Sequence, residues 1–116
     1  MFDSIVTASG EPLAAWLAAA AFAAGGIANA TGHPKIRASF TNLGFPGWWC
    51  RVTAVLELIV AMLLLLPATR VFGVALGTCI MAAAVWAILS RRLYGHLPPP
   101  ILFLLLLALA ALGQTA

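Results

Sequence analysis

The sequence predicts an all-α integral membrane protein: a four-helix bundle with a short interfacial helix between the first and second spans. Of the 116 residues, 64% are hydrophobic and only 8% are charged, whereas soluble domains carry about 25% charged residues. The apolar residues are collected into four long segments. None of these segments alternates polar and apolar residues as the strands of a membrane barrel do. Helices are the other structure in which every backbone N–H and C=O group finds a hydrogen-bond partner within lipid, so the four segments are predicted to be helices.

Four spans are expected in a single domain that covers residues 1–116. They run over about residues 13–31, 48–66, 71–89 and 99–112. A helix needs about 20 residues to cross the hydrocarbon, which the first three segments supply. The fourth reaches this length only with its proline-rich start, which the first turn of a helix tolerates. The first span, with Pro12 just at its start, follows no lysine or arginine and is therefore not a signal peptide.

The connection between the first two spans predicts a helix in the membrane interface over residues 34–43. Ile36, Phe40 and Leu43 recur at helical spacing, after a proline that suits a helix start and before Gly44, which suits a stop. Basic residues beside such a stripe are typical of an interfacial helix, and an irregular loop is the alternative. The residues expected at the interface are Lys35, Arg37, Phe40, Trp48 and Trp49.

The basic residues predict the orientation of the spans. Of the six lysines and arginines, all but Arg70 fall on one side of a four-span arrangement: Lys35, Arg37, Arg51, Arg91 and Arg92. The positive-inside rule therefore places the first and third connections in the cytoplasm and both termini outside. Arg51 and Arg70 lie toward the two ends of the second span, from which long side chains are expected to reach outward to water.

Glu57 lies near the middle of the second span, in an otherwise apolar run. A charge at the centre of a helix costs on the order of 3 kcal/mol in lipid, so we predict that this carboxyl faces the interior of the bundle, neutral or hydrogen-bonded. Thr53 lies one turn away on the same face, Thr78 at similar depth on the next span, and Asn29 nearer the cytoplasm. The functional interpretation is an anchor for a quinone or lipid headgroup, or a proton site. The structural alternative is a hydrogen bond that sets the helix register.

Small residues recur at intervals of four in two of the spans. Gly73 and Gly77 form a GxxxG pair, and Ala21 and Gly25 form a similar pair of small residues. Such pairs let helix backbones approach each other closely. They indicate either dimerisation or helix packing within one bundle.

Cysteine and histidine patterns predict no catalytic residue, metal ligand or cofactor. Cys50 and Cys79 differ in depth by roughly 10 Å, whereas a disulfide needs Cα atoms within about 7 Å; both are expected to pack as apolar residues. His33 and His96 lie in connections beside prolines, outside the spans in which a buried haem would need them. Partners among nucleic acids are also not expected, because the basic residues form no cluster with interleaved aromatics.

Several features spaced along the chain are shared with a known family. They are a small-residue first span ending in a basic segment, the turn Leu43-Gly44-Phe45-Pro46, the pair Glu57-Leu58, and Pro67 and Arg70 at the end of a hairpin. Over about residues 20–112 the chain thus resembles the DoxX-like family of small four-helix membrane proteins. The resemblance implies a location in the bacterial inner membrane and an association with thiol or quinone redox systems, or with membrane-protein assembly. Many members carry a histidine late in the third span, where this chain has residues 86–88 instead, which weakens an enzymatic role.

Two functions follow as hypotheses. The first is a non-catalytic accessory or scaffold subunit that packs with other membrane proteins or with itself, and with lipid or quinone. The absence of a catalytic constellation in the sequence favours it. The second is a component of a membrane redox enzyme, quinone- or thiol-linked, in which Glu57 protonates or orients a quinone. A bound cofactor spectrum or a stoichiometric quinone would separate the two.

Overall fold

Residues 2–115 form five α-helices and one short 3-10 turn, with no strand in that range. The structure is a computed structural model that describes the backbone of these residues and the side chains of residues 13–112. The helices are α1 (Phe2–Ala30), α2 (Pro34–Asn42), α3 (Trp49–Leu65), α4 (Arg70–Ser90) and α5 (Pro98–Thr115), with the 3-10 turn at Tyr94–His96. This confirms the all-helical fold class, with a short helix between the first two long ones. Residues 1 and 116 of the predicted domain lie outside the described residues.

Among the described residues, three segments are long and apolar enough to cross a membrane: Leu13–Ala30, Arg70–Ser90 and Tyr94–Leu112. They correspond to the first, third and fourth predicted spans. The second, α3, has 17 residues, fewer than the about 20 that a perpendicular span needs. The expectation that the first helix starts at Pro12 is wrong, because α1 begins at Phe2. Pro12 removes one backbone hydrogen-bond donor, yet the residues before it are also helical in the structure.

The four long helices pack side by side in a ring. In this ring α1 contacts α3 and α5, while α4 contacts the same two helices from the other side. The core between them contains the fully buried side chains of Phe22, Val60, Leu64 and Leu107. The ring of Phe22 meets that of Phe103 edge to face, with centroids 5.0 Å apart. The interior is therefore filled with apolar side chains at this level.

Two buried glycines set the rotation of α4 in this ring. A Cβ atom on Gly73 would lie 3.0 Å from the backbone nitrogen of Leu64, and one on Gly77 would lie 3.0 Å from Cζ of Phe22. The GxxxG pair thus packs against helices of the same chain. Because a helix turns by about 100° per residue, Thr78 points away from this inner face and is exposed.

Replacing Gly77 with leucine is expected to lower the free energy of unfolding by about 1–3 kcal/mol, because extra methylenes forced into a packed core displace their neighbours. The matched control is Ala75→Leu, which adds the same side chain to an exposed position of the same helix. Melting temperatures in detergent, measured by size-exclusion chromatography after heating, report the difference. Equal melting temperatures for the two variants would contradict this packing.

Thr69 and Arg70 bind the carbonyl groups at the end of α3. Arg70 is only 4% exposed, and its Nε atom donates a hydrogen bond to the carbonyl oxygen of Leu64 at 2.9 Å. Thr69 Oγ1 donates to the carbonyl oxygen of Leu63 at 3.0 Å. The last carbonyls of a helix lack partners within the helix, and a cation near them is stabilising. The prediction that Arg70 reaches outward to water is therefore wrong, because the short hairpin turns it back onto α3.

Candidate ligand-binding site

A cavity of about 670 Å³ lies between the helices, toward the end of the ring at which α3 begins. Small-molecule sites commonly have volumes of about 300–1,000 Å³ and apolar walls with a few polar groups. The walls here are largely apolar side chains of α2, α4 and α5. The polar side chains that line the cavity are Asn29, Ser39, Thr53, Glu57 and His96. This composition suits a ligand that is mostly hydrocarbon.

Glu57 is the buried carboxyl of this cavity. Only 4% of its surface is exposed, and its Oε1 atom accepts a hydrogen bond from Nδ2 of Asn29 on α1. A Cβ atom at Gly25 would lie 2.5 Å from Oε2 of the same carboxyl. The glycine therefore provides the space in which the carboxyl packs against α1. The side chain lies inside the ring, as the sequence analysis predicts.

The two threonines predicted near Glu57 have different positions. Thr53, one turn away on α3, lines the cavity, and its hydroxyl makes no hydrogen bond to another described residue. Thr78 is exposed and does not line the cavity, so the structure does not bring it to Glu57. Its neighbour Cys79 lines the cavity instead. Equal depth in the membrane therefore does not determine which side chains line the cavity.

Basic side chains lie away from the carboxyl. A Cβ atom at Gly32, where φ is +66°, would lie 3.2 Å from Nη2 of Arg51, so this guanidinium packs against the end of α1. Arg70 binds carbonyls at the opposite end of α3. Within residues 13–112, Glu57 forms no ion pair and has Asn29 as its hydrogen-bond partner. Arg51 is exposed, which agrees with the expectation that long side chains at this end of the span reach outward.

The apolar stripe of α2 faces the cavity. Ile36, Phe40 and Leu43 all line it, and none of the three is fully buried. The predicted helix over residues 34–43 is confirmed as Pro34–Asn42. Its position in a membrane interface is a separate prediction. In the structure this helix covers one side of the cavity.

Backbone hydrogen bonds at the C-terminal end of α2 fix the position of its apolar stripe. Gly44, with φ of +92°, donates its N–H to the carbonyl oxygen of Thr41 at 3.0 Å, and Phe45 donates to that of Phe40 at 2.9 Å. This pair of bonds, with a glycine in the left-handed conformation, is a Schellman motif. The rings of Phe40 and Phe45 lie 6.4 Å apart, which is the apolar contact that accompanies such a motif.

The residues predicted at the interface fall into two groups. Those on the outer surface are Lys35, Arg37 and Trp48. Phe40 and Trp49 instead line the cavity. The ring of Trp49 stacks on that of Phe45, with centroids 6.1 Å apart and planes inclined by 9°. An aromatic cluster therefore joins the end of α2 to the start of α3.

The histidines and cysteines form no metal site among the described residues. His33 caps the start of α2, where its Nδ1 atom accepts a hydrogen bond from the backbone nitrogen of Lys35 at 3.1 Å. His96 lies in the 3-10 turn and lines the cavity, a position that the sequence analysis does not predict. Both cysteines are free. Cys50 is buried, while Cys79 is exposed toward the cavity.

Replacing Phe40 with glutamine is expected to lower the free energy of unfolding by about 1–2 kcal/mol, since the half-buried ring loses apolar contact with Phe45. The control is Thr41→Gln, at an exposed position next to it in the same helix. Thermal unfolding in detergent, followed by tryptophan fluorescence, measures both. Equal and negligible effects would show that this segment behaves as a solvated loop.

Together, the fold and the cavity define a class of protein. The part of the chain that the structure describes is helical, with three helices able to cross a membrane and an apolar cavity between its helices, which defines a small helical membrane protein. The model of the DoxX-like family matches residues 13–110, and the chain belongs to this family. The matched range includes every residue that lines the cavity. No curated protein and no solved structure matches the chain.

Proposed function

We propose that this protein is a non-catalytic accessory or scaffold subunit that holds an amphipathic lipid or a quinone in the cavity between its helices. The observation that supports this function is the apolar cavity of about 670 Å³ with the buried carboxyl of Glu57 in its wall. Apolar walls favour the hydrocarbon part of such a ligand. The carboxyl and the Thr53 hydroxyl offer hydrogen bonds to its polar end.

The depth of Glu57 supports the same proposal. It follows the first residue of α3, Trp49, by eight positions, which corresponds to about 12 Å along a helix. A polar headgroup is carried this far into an apolar environment only if it finds a hydrogen-bond partner there. The site thus favours a ligand whose polar end reaches Glu57.

The outer surface supports the scaffold part of the proposal. Large apolar side chains are exposed on the outside of the ring, among them Met62, Phe72, Trp86 and Leu112. Exposed apolar patches of this kind mark contacts with lipid or with other proteins. We propose that the four long helices cross the bacterial inner membrane and pack there against lipid, other membrane subunits or a second copy. The short α3 is accommodated by local thinning of the bilayer.

Reporter fusions are expected to place both termini outside the cytoplasm, because five of the six basic residues lie at the end of the ring that carries α2. An alkaline phosphatase fused after residue 116 should be active, and a fluorescent protein fused there should be dark. The same reporters in the connection between α4 and α5 should give the opposite pattern. A cytoplasmic C-terminus would overturn the orientation and leave the helix count intact.

A cavity-filling substitution tests the proposed function. Ala84 lines the cavity, whereas Ala82 on the same helix is exposed and does not. Protein purified in mild detergent is extracted, and the lipids and quinones in the extract are quantified by mass spectrometry per mole of protein. We expect a bound amphiphile in the parent and in Ala82→Phe, and its loss in Ala84→Phe. Equal amounts in the two variants would contradict binding in the cavity.

A component of a membrane redox enzyme is the second candidate. The observation in its favour is that Glu57 lines the cavity, so it is placed to hydrogen-bond a quinone carbonyl or to exchange a proton with it. A quinone present in stoichiometric amount and reduced or oxidised on addition of an electron donor or acceptor would support this role. A bound lipid without redox activity supports the accessory role instead.

A further inference from the structure

We propose that the cavity opens sideways, between α3 and α4, into the hydrocarbon of the membrane, and that its ligand is a membrane-dissolved amphiphile that enters through this lateral opening. The inference rests on the proposed function, because it specifies how the same cavity is loaded. Three features carry it: the extent of the cavity around α4, the apolar side chains beside the opening, and the depth of the opening along the helices.

The first feature is that the cavity reaches the outer face of α4. A Cβ atom on Gly77 would lie 3.0 Å from Cζ of Phe22, so this position marks the inner face of the helix. Cys79 follows Gly77 by two residues, which is a rotation of about 200°, and it therefore lies on the outside of the ring. Cys79 is exposed and nevertheless lines the cavity. The cavity is thus not confined to the interior of the ring.

The cavity passes α4 on the side that faces α3. Ala83, at about 240° from Gly77, lines the cavity, whereas Ala82, at about 140°, is exposed and does not. Gly73 lies at about 320°, on the same side as Ala83. A Cβ atom on Gly73 would lie 3.0 Å from the backbone nitrogen of Leu64 on α3. This contact identifies the side of α4 along which the cavity runs as the side next to α3.

The lining residues of α3 lie on the side next to α4. Leu56 and Thr53 both line the cavity, and they are rotated from Glu57 by about 100° and 40° in the same sense. Leu58 is rotated by about 100° in the opposite sense, and its Cγ atom would lie 2.8 Å from a Cβ atom at Gly26 of α1. The lining residues therefore face away from α1. The two helices that flank the opening are α3 and α4.

The second feature is that the side chains beside the opening are apolar. Ile59 of α3 and Trp86 of α4 are exposed on the outside of the ring, each about one helical turn from a residue of the opening, and Leu76 precedes Cys79 by three positions. Residues 71–90 of α4 include no charged residue. Apolar surface of this kind is compatible with contact to lipid chains. An opening with such surroundings admits hydrocarbon more readily than water.

The third feature is the depth of the opening. Cys79 follows the first residue of α4, Arg70, by nine positions in a helix of 21 residues, which corresponds to about 14 Å along a helix. The hydrocarbon core of a bilayer is about 30 Å thick, and α4 is long enough to cross it. The opening then lies among acyl chains and not among headgroups. A ligand dissolved in the leaflet reaches the cavity here without passing through water.

A bulky side chain at the opening tests this route. The protein in mild detergent is loaded with a tritium-labelled probe, either a short-chain quinone or a monoacylglycerol. After dilution into excess unlabelled probe, the label that stays bound is followed by gel filtration. Ala83→Trp is expected to release the probe about 10-fold more slowly than the parent, which corresponds to an added barrier of about 1.4 kcal/mol. The amount bound at equilibrium should stay unchanged, because residue 83 lies at the entrance and not inside the ring.

Two control variants separate the lateral route from other effects. Ala82→Trp adds the same side chain to an exposed position of α4 outside the cavity and should release the probe at the rate of the parent. His96 is exposed and lines the cavity at the end that carries α2. His96→Trp therefore narrows that end and should also leave the rate unchanged. Slow release from His96→Trp together with parental release from Ala83→Trp would overturn the inference.

Further variants at the opening keep the test decisive if Ala83→Trp does not fold. Cys79→Trp should slow the release in the same way. Leu56→Ala, which removes most of a side chain from the opening, should speed the release several-fold. Melting temperatures in the same detergent report folding. Parental release rates in the folded variants of these three positions, or loss of equilibrium binding in Ala83→Trp, would count against an entrance between α3 and α4.

The outcomes distinguish this inference from the function it rests on. If the parent retains neither probe, or if Ala84→Phe retains both probes as the parent does, the proposed function fails and the inference fails with it. If the parent retains a probe, Ala84→Phe loses it and Ala83→Trp releases it at the parental rate, the cavity holds a ligand that enters elsewhere. In that case the proposed function stands and the inference is wrong.

Discussion

On the proposed function, replacing Glu57 with leucine is expected to abolish retention of a bound amphiphile while the chain still folds. Leucine has a similar size and removes only the polar end of the side chain. The Asn29 amide then loses its acceptor, which costs about 1–3 kcal/mol, and removal of a carboxyl from apolar surroundings offsets part of this loss. The measurement is the amount of bound amphiphile per mole of protein, with the melting temperature as a test of folding.

Glu57→Gln is the matched control for this prediction. Its amide oxygen accepts from Asn29 in place of the carboxyl, so most of the fold and part of the bound amphiphile should be kept. A leucine variant that retains as much amphiphile as the parent would show that Glu57 has a structural role only. A glutamine variant that fails to insert or assemble would show that the charge itself is needed, paired with a cation outside this chain such as an arginine of another subunit.

Replacing Arg70 with leucine is expected to destabilise the protein by about 1.5–3 kcal/mol, the range of one hydrogen bond to a charged group. The change removes the donor at 2.9 Å from the carbonyl oxygen of Leu64 and takes a cation from the end of α3. Arg70→Lys should lower the free energy of unfolding by less, because the lysine ammonium keeps a positive charge near the end of α3. Unfolding by heat or by denaturing detergent measures the difference.

Arg92→Leu serves as the comparison for Arg70→Leu. Arg92 is exposed, lies at the end of α4 and has a positive φ of 57°. Its replacement removes the same charge without removing a buried hydrogen bond. Equal destabilisation by the two leucine variants would mean that net charge, and not the contact with α3, accounts for the effect of Arg70.

Much of the fold follows from the sequence because hydrophobicity and helix-end signals are local. Pro34 and Gly44 bound the short helix, and the apolar segments correspond to the long ones. Thr53 and Glu57 are correctly placed on one face because their spacing of four is a property of any α-helix. In the same way, the pairing of a buried carboxyl with a polar neighbour follows from the cost of leaving it unpaired in lipid.

The predictions that were wrong concern the direction of side chains, which depends on how one helix is rotated against another. Thr78 lies at a depth suited to Glu57, but the packing of Gly73 and Gly77 turns it outward. The direction of Arg70 depends on the geometry of the four-residue hairpin before it. The general expectation that long side chains at helix ends reach water takes no account of that geometry. The cavity could not be predicted from the sequence either, because it is a space between several helices and depends on how they pack together.

The hydrogen bond between Asn29 and Glu57 also bears on biosynthesis. It joins α1 to α3, two long helices that leave the ribosome ahead of α4 and α5, so the carboxyl has its partner before those two helices are made. A nascent chain can therefore insert its costly residue as part of a paired hairpin. Pro100 and Phe103, which complete the cavity wall, belong to α5, which is made after α1, α3 and α4. The cavity is therefore complete only after α5 has been made, and a product truncated before residue 98 would carry the polar pair without the wall that α5 supplies.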